Sequence, residues 1–378
     1  STLNAQRSTT DAPVGAVADR DGNQGDRSPT ASAPTPTLSA SPLASRYETG
    51  EMIAKGGMGA VFRAKDLHIS RTVALKVMLA QEGAEQDEIL RFLDEARITG
   101  QLEHPNIVPI HDVVVSPDGR VFYTMKLVRG VTLRDVLEEI RKGKTDTIAK
   151  YPLSRLLTIF QKVCDAMAFS HSKRVIHRDL KPENIMLGDY GEVQVMDWGL
   201  AKVLSNAECP RLPGGGQGVP NAEGAQVRPK TMVASARKEG GDAFQTMAGQ
   251  IMGTPNFMAP EQAEGWVDQH DARTDLYALG GILYMILTLR LPITGASVGE
   301  IMQKITSGNI PPPTSFNPKS SQKGIVGQAA PLANFPDGRQ RGPVALQHLP
   351  GRLIPASLSA VAMKALALQQ ADRYQTVA

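Results

Sequence analysis

The chain has 378 residues, 41% of them hydrophobic, and a formal charge of +3. That is apolar material enough for one large or two ordinary cored domains, and too even a charge, with no long Lys/Arg run, to argue for nucleic acid. Its two cysteines, Cys164 in an apolar helical stretch and Cys209 in a Pro/Gly-rich one, argue against a disulfide framework and suit a reducing cytoplasm.

Residues 1–45 are rich in Ser, Thr, Ala and Pro and poor in aromatics. Such a stretch buries too little apolar area to offset its ordering entropy and reads as a disordered leader. Order begins near Tyr47. Tyr47 to Ile53, Ala60 to Lys65 and Thr72 to Val77 read as short strands. Gln86 to Leu102 reads as a helix with Ile89, Phe92, Leu93 and Ala96 on one side. Ile107 to Val115 and Arg120 to Lys126 read as two more strands, joined by the turn Pro117-Asp118-Gly119. These make a small antiparallel domain of five strands and one helix. Gly130 and the polar residues after it read as a hinge.

Beyond that point the pattern turns helical: Leu133 to Arg141, Leu153 to Ser172, Thr274 to Leu289, Val298 to Ser307 and Ala356 to Leu368. The apolar run Leu276 to Leu289, 14 residues long, is too short to cross a bilayer and suits a buried helix. Ser205 to Gln245 and Ser315 to Gly351 carry Gly, Pro, Ala, Gln and mixed charge without period and read as long insertions. No membrane span, signal peptide or internal repeat is read. The chain begins at Ser1 and stops at Ala378 inside a helical pattern; whether it is a piece of a longer parent, and whether that parent carries a membrane anchor or a sensor domain, is left open by the sequence.

One short run concentrates chemistry: His177-Arg178-Asp179-Leu180-Lys181-Pro182-Glu183-Asn184. It sets a carboxylate, a cation and an amide within one loop. Those are the groups phosphoryl transfer needs, Asp179 to accept a hydroxyl proton, Lys181 to meet phosphate charge and Asn184 to hold Mg²⁺. Thirteen residues past Asn184 comes Asp197-Trp198-Gly199, whose carboxylate suits a hard cation. Upstream, Ala54-Lys55-Gly56-Gly57-Met58-Gly59-Ala60-Val61 lies between two strands. Glycines there let backbone N–H groups approach phosphate oxygens with no Cβ in the way. Val73-Ala74-Leu75-Lys76 follows on the next strand, and Gly253-Thr254-Pro255 and Ala259-Pro260-Glu261 come late in the chain.

In this order the motifs resemble those of protein kinases, over about residues 46 to 378, and Lys181 two residues after Asp179 is similar to the serine/threonine branch, of bacterial type. The resemblance implies an α+β, two-lobed kinase fold. Its N-lobe, 46–128, would hold the five-stranded antiparallel sheet and one helix. Its larger, mostly helical C-lobe, 129–378, would carry the insertions near 205–245 and 315–351. ATP and Mg²⁺, with Mn²⁺ as the alternative metal, would bind between the lobes.

By the same resemblance Asp179, Lys181, Lys76 and Glu95 are catalytic, with Glu88 and Glu85 as alternatives to Glu95 on that helix. Ile53, Ala54, Gly56, Gly57, Gly59, Val61, Ala74, Lys76, Met125, Lys126, Val128 and Leu187 would line the nucleotide site. Met125 would back the adenine, and the backbone of Lys126 and Val128 would bind its edge. Asn184 and Asp197 would hold metal. Arg178, Thr246 and Thr254 are regulatory: Arg178 would pair with the phosphate carried by a phosphorylated activation-loop threonine, Thr246 ahead of Thr231 and Ser235. Glu261 would pair with Arg373 in a buried ion pair, and Asp275 would anchor the catalytic-loop backbone.

Two departures from the kinase pattern bear on activity. Ala54 stands where the first glycine of the loop is usual, at a cost of roughly 1–2 kcal/mol if that position is left-handed. Trp198 replaces Phe and brings an N–H that needs a partner. They are the support for a rival reading as a pseudokinase or nucleotide-binding scaffold. A small-molecule kinase is a second rival, opposed by the Ala259-Pro260-Glu261 and Lys181-Pro182-Glu183-Asn184 elements. Partners are proteins bearing Ser/Thr, with no nucleic acid and no membrane span in this chain. A homodimer through the N-lobe is carried over from the resemblance, and the expected location is cytoplasmic.

Overall fold

The computed structural model describes residues 46–56, 59–78, 86–115, 121–204, 255–318 and 346–377. The leader, the turn at Pro117-Asp118-Gly119, Gly57, Cys209, Thr231, Ser235, Thr246, Thr254 and most of both insertions lie outside these residues.

The first part of the chain is a sheet because its β-branched and aromatic runs are short and punctuated by turns. β1 (Tyr47–Lys55), β2 (Gly59–Asp66), β3 (Arg71–Met78), β4 (Ile110–Val115) and β5 (Val121–Lys126) pair antiparallel in the order β1-β2-β3-β5-β4. One face buries Tyr47, Phe62, Leu75 and Phe122 together. The other buries Ala74, Val121, Tyr123 and Met125 against helix α1 (Gln86–Gly100), which contributes Phe92 and Ala96. Arg46 clamps the sheet's far end, reaching Asp112 at 2.6 Å and the buried Asp66 at 3.3 Å.

The C-lobe is built on amphipathic helices. α2 (Leu133–Arg141) starts at Thr132, whose hydroxyl accepts from Asp135 N while the Asp135 carboxylate accepts from Thr132 N. That reciprocal cap fixes the first turn. Leu133, Val136, Leu137 and Ile140 then face the core at helical spacing. After the short α3 (Thr145–Lys150), α4 (Leu153–Ser172) runs beneath the catalytic loop. Its buried face is Leu156, Ile159, Val163, Ala166 and Met167. α5 (Pro260–Ala263) precedes α6 (Ala272–Thr288), which is buried continuously from Thr274 to Thr288. α7 (Val298–Ser307) and α8 (Ala356–Ala365) complete the lobe. Gly280 lets α8 approach α6, since a Cβ there would lie 2.7 Å from Ala365 Cβ. Among the described residues no helix is long and apolar enough to cross a membrane.

Several boundaries differ from the sequence expectation, each for a local reason. α1 stops at Gly100 rather than Leu102, and β4 starts at Ile110 rather than Ile107. Between them Pro105 and Pro109 cannot donate to a ladder, and the segment docks on the C-lobe instead. Asn106 Nδ2 donates to Val193 O at 2.9 Å, Gln194 Nε2 to Pro105 O at 2.6 Å and Val195 N to Asn106 O at 2.8 Å.

Gly130 is not a free hinge. It opens β6 (Gly130–Thr132), which pairs with β8 (Ile185–Gly188), itself paired with β9 (Val193–Val195). A Cβ at Gly130 would fall 1.9 Å from the Leu187 carbonyl oxygen. These strands, with β7 (Val175–Ile176) and β10 (Lys202–Val203), are two to four residues long and too short for a period to show.

The last helix ends at Ala365 rather than Leu368. The second insertion is narrower than 315–351. Leu346, His348 and Leu349 are core residues, and Asn317 closes the loop's base on Ile354 through two hydrogen bonds, of 2.7 and 3.1 Å.

Candidate active site

Lys76 lies on β3 opposite Val61 of β2 and Tyr123 of β5. Its Nζ contacts both oxygens of Glu95 on α1, at 2.7 and 2.9 Å. Asp197 Oδ1 lies 3.8 Å away. Glu88 is exposed and Glu85 lies outside the described residues, so Glu95 is the helix carboxylate that meets Lys76. Tyr123 OH donates to Glu95 Oε1 at 2.8 Å, a contact not foreseen from the sequence. Burial alone would lower the Lys76 ammonium, but Glu95 and Asp197 outweigh it and hold Lys76 above its usual range. Burial pushes the Glu95 carboxyl up against the pull of Lys76. With both oxygens at charge-assisted distance from the ammonium, the ionised pair is the state this geometry fits.

The catalytic loop follows β7 and is held from below by Asp275 of α6. Asp275 Oδ2 accepts from His177 N at 2.8 Å and Oδ1 from Arg178 N at 2.9 Å, while His171 Nε2 lies 2.8 Å from Oδ2. Burial alone would raise the Asp275 carboxyl; the hydrogen bond and charge of His171 and the loop contacts bring it below the usual range. His177 Nε2 sits 3.0 Å from Met196 O, while Nδ1 takes the Asp179 N–H at 3.2 Å. A carbonyl can only accept, so this imidazole carries its hydrogen on Nε2.

Within the loop Lys181 Nζ grips both Asp179 oxygens, at 2.9 and 2.7 Å. Asn184 Nδ2 donates to Asp179 O at 2.8 Å and to Oδ2 at 3.2 Å. Both contacts use the amide nitrogen, which leaves Asn184 Oδ1 as a hard acceptor. Met196 N donates to Asn184 O at 2.8 Å and brings Asp197 beside it. Asp197 has φ +57°, a left-handed conformation uncommon outside glycine, and its side chain is 53% exposed. Lys76, Glu95 and Asp197 thus form one cluster and Asp179, Lys181 and Asn184 a second, joined by the Met196–Asn184 backbone hydrogen bond.

The two departures have local accommodations. Ala54 lies in β1, paired with Val61 in extended backbone, so its Cβ carries no left-handed strain. Trp198 is 1% exposed, packs on the His177 ring at 4.6 Å and points its indole N–H at Val195 O, 3.4 Å away.

The remaining expected nucleotide residues that are described lie on β1, β2, β3, β5 and β8 and the links beside them. Gly56 N donates to Gly59 O at 2.8 Å and closes the glycine turn. Ile53 and Ala54 are exposed on β1 just before it. Ala74 pairs with Met125, and both join Val61, Leu127 and Met196 in one apolar cluster. Lys126 N is held by Pro109 O at 3.1 Å, and Val128 follows in the irregular link to β6. Leu187 is buried on β8. Met196 was not among the expected residues, though its place directly before Asp197 is visible in the sequence.

The donor set fits a divalent metal with a phosphate ligand. Among the described residues there is no group of three His, Cys, Asp or Glu that could hold an ion alone. Asp197 and Asn184 offer two oxygen ligands, which suits a cation that completes its shell with water and phosphate oxygens. The lysines Lys76 and Lys181 stand on either side.

A sheet lobe over a helical lobe, with a lysine–glutamate pair above and this loop below, defines a nucleotide-dependent phosphotransferase. The family model described as protein kinase domain matches residues 47–324. The chain therefore belongs to the protein kinase family, in its bacterial, eukaryotic-like serine/threonine branch. It is 33% identical over 337 residues to serine/threonine-protein kinase PknD of Chlamydia trachomatis, covering 88% of this chain and 30% of that protein. It is 34% identical over 339 residues to the Chlamydia pneumoniae PknD, with 88% and 30% covered. It is 36% identical over 265 residues to that of Protochlamydia amoebophila, with 69% and 25% covered. The chain thus spans less than a third of the length of these relatives. The family's chemistry uses ATP and a divalent metal.

Proposed function

We propose that this domain transfers the γ-phosphoryl group of ATP to Ser/Thr hydroxyls of proteins, with Mg²⁺ as its metal and Asp179 as its base. The observation that carries the reading is the clasp of Asp179, Lys181 and Asn184 in one loop, with Asp197 brought alongside by the Met196–Asn184 hydrogen bond. MgATP, when bound, supplies the electrophilic phosphorus and a metal-shielded leaving group. Asp179 orients the acceptor hydroxyl and takes its proton. Lys181 and Lys76 offset the charge that spreads over the transferred group, which is where fixed cations act most strongly. Asn184 and Asp197 hold the metal through oxygen. Val61, Ala74, Met125 and Leu187 enclose the base.

Ala54 in extended backbone and the satisfied Trp198 N–H lend no support to the pseudokinase reading. Lobes of 46–128 and 129–378 are part of this proposal, as is regulation through Arg178, Thr254 and phosphorylation of Thr246. Use of ATP places the domain on the cytoplasmic side, and pairing of two copies through the N-lobe is a further expectation. The test is incubation with radiolabelled ATP and Mg²⁺, then phosphoamino-acid analysis. Labelled phosphoserine or phosphothreonine is expected; a chain that binds ATP yet labels nothing contradicts the reading.

A further inference from the structure

We propose that Gln262 is a positioning residue for the base, acting through the carbonyl of Arg178. The inference rests on Asp179 being that base.

Arg178 has φ +67°, in the left-handed region that residues with a Cβ rarely adopt. Such a backbone costs of order 1–3 kcal/mol and persists only where its surroundings over-determine it. The angles φ and ψ at one residue are set by the two flanking peptide planes. Asp275 fixes the first plane through the Arg178 N–H at 2.9 Å. Gln262 fixes the second: its Nε2 donates to Arg178 O at 2.8 Å. That second peptide carries the Asp179 N–H, whose partner is His177 Nδ1 at 3.2 Å. The Gln262 hydrogen bond is the shorter of the two that orient the peptide leading into Asp179.

The amide of Gln262 cannot turn round. Its Oε1 already accepts from Ala259 N at 3.1 Å, so the NH₂ faces Arg178. Gln262 is 5% exposed and Ala259 fully buried. The side chain therefore ties the Ala259-Pro260-Glu261 element to the loop that holds the base, across 84 residues of sequence. If the segment before α5 shifts, the Arg178 carbonyl loses its donor and Asp179 its aim.

The test compares Gln262→Glu and Gln262→Ala with the unaltered chain, alone and combined with Asp179→Asn. Gln262→Glu keeps the shape and the Ala259 contact but sets oxygen against the Arg178 carbonyl. Both variants should lose roughly 10- to 100-fold in kcat, as misaiming by an ångström does, while KM and Kd for ATP stay within about two-fold. In the Asp179→Asn background the same substitutions should cost less than about two-fold more, because residues acting as one unit are not additive. Unaltered kcat in both variants, with Asp179→Asn inactive, overturns the inference and leaves the base assignment standing. A loss of kcat accompanied by an equal loss of ATP affinity and a lowered Tm gives Gln262 a packing role and also overturns it. Full turnover in Asp179→Asn alone removes the reading on which the inference rests.

Discussion

Arg373 places all five of its N–H donors, and two of them meet the carboxylate of Glu261 as a fork. Nη1 reaches Oε1 and Nη2 reaches Oε2, both at 2.8 Å. The other three go to the carbonyls of Ala367, Arg273 and Leu368 at 2.8, 3.0 and 3.0 Å. Thr274 Oγ1 adds a donor to Glu261 Oε1 at 2.9 Å. With the Arg373 side chain fully buried, removing either partner strands a charge away from water. Glu261→Gln or Arg373→Met should cost about 3–5 kcal/mol, read as a fall in Tm.

The same pair gives an acid dependence. Burial alone would raise the Glu261 carboxyl, and the Arg373 guanidinium reverses this and holds it below its usual range. A carboxyl depressed in the folded state stabilises fully above its unfolded value, about 4.3, and less as pH falls through the folded value. The Tm gap between the unaltered chain and Glu261→Gln should be constant near neutral pH and narrow below about pH 4. A gap that widens in acid contradicts the assignment.

Lys76 bridges Glu95 and Asp197, so its loss unpairs two carboxylates at once. Lys76→Met should lower kcat by about 10²–10³, the scale for removing one preorganised transition-state donor. Tyr123→Phe removes one neutral donor from Glu95 and should cost under ten-fold. Steady-state kinetics on a protein substrate separates the two.

Gly130→Ala would drive a Cβ to within 1.9 Å of a carbonyl oxygen on β8. Backbone on both sides leaves little room to yield, so the expected loss is at least the 1–3 kcal/mol typical of overpacking. Calorimetry should show a lower Tm, and a larger fall than for Gly191→Ala, which at φ +85° meets backbone strain but has nothing near its Cβ.

Burial pushes the Cys164 thiol up to about 12. The thiolate is the reactive form, so iodoacetamide at pH 8 should spare Cys164 in the folded chain and modify it after denaturation. Rapid labelling of folded protein would contradict that shift.

Most of the fold was legible because its long elements carry a clear period. α2, α4 and α7 begin and end where the apolar spacing places them, and α2 brings its own cap in Thr132 and Asp135. The short strands β6 to β10 were not legible, since two to four residues cannot display alternation, and β6 and β7 find their partners, β8 and β10, much further along the chain. In the site, loop neighbours such as Asp179 and Asn184 could be placed together because one short segment carries them. Tyr123 was missed because β5 is buried on both faces, so no alternation marks which side faces Glu95. Gln262 was missed because its partner is 84 residues upstream. The Ala54 and Trp198 departures were visible as letters, but their accommodation depended on backbone angle and on a carbonyl within reach.

The most direct test is single-turnover phosphoryl transfer by the Asp179→Asn chain, with ATP binding measured on the same sample. The amide keeps the shape of Asp179 but cannot take a proton, so transfer should fall by several orders of magnitude while the Kd for ATP stays within a few-fold. Transfer at the unaltered rate would contradict Asp179 as the base.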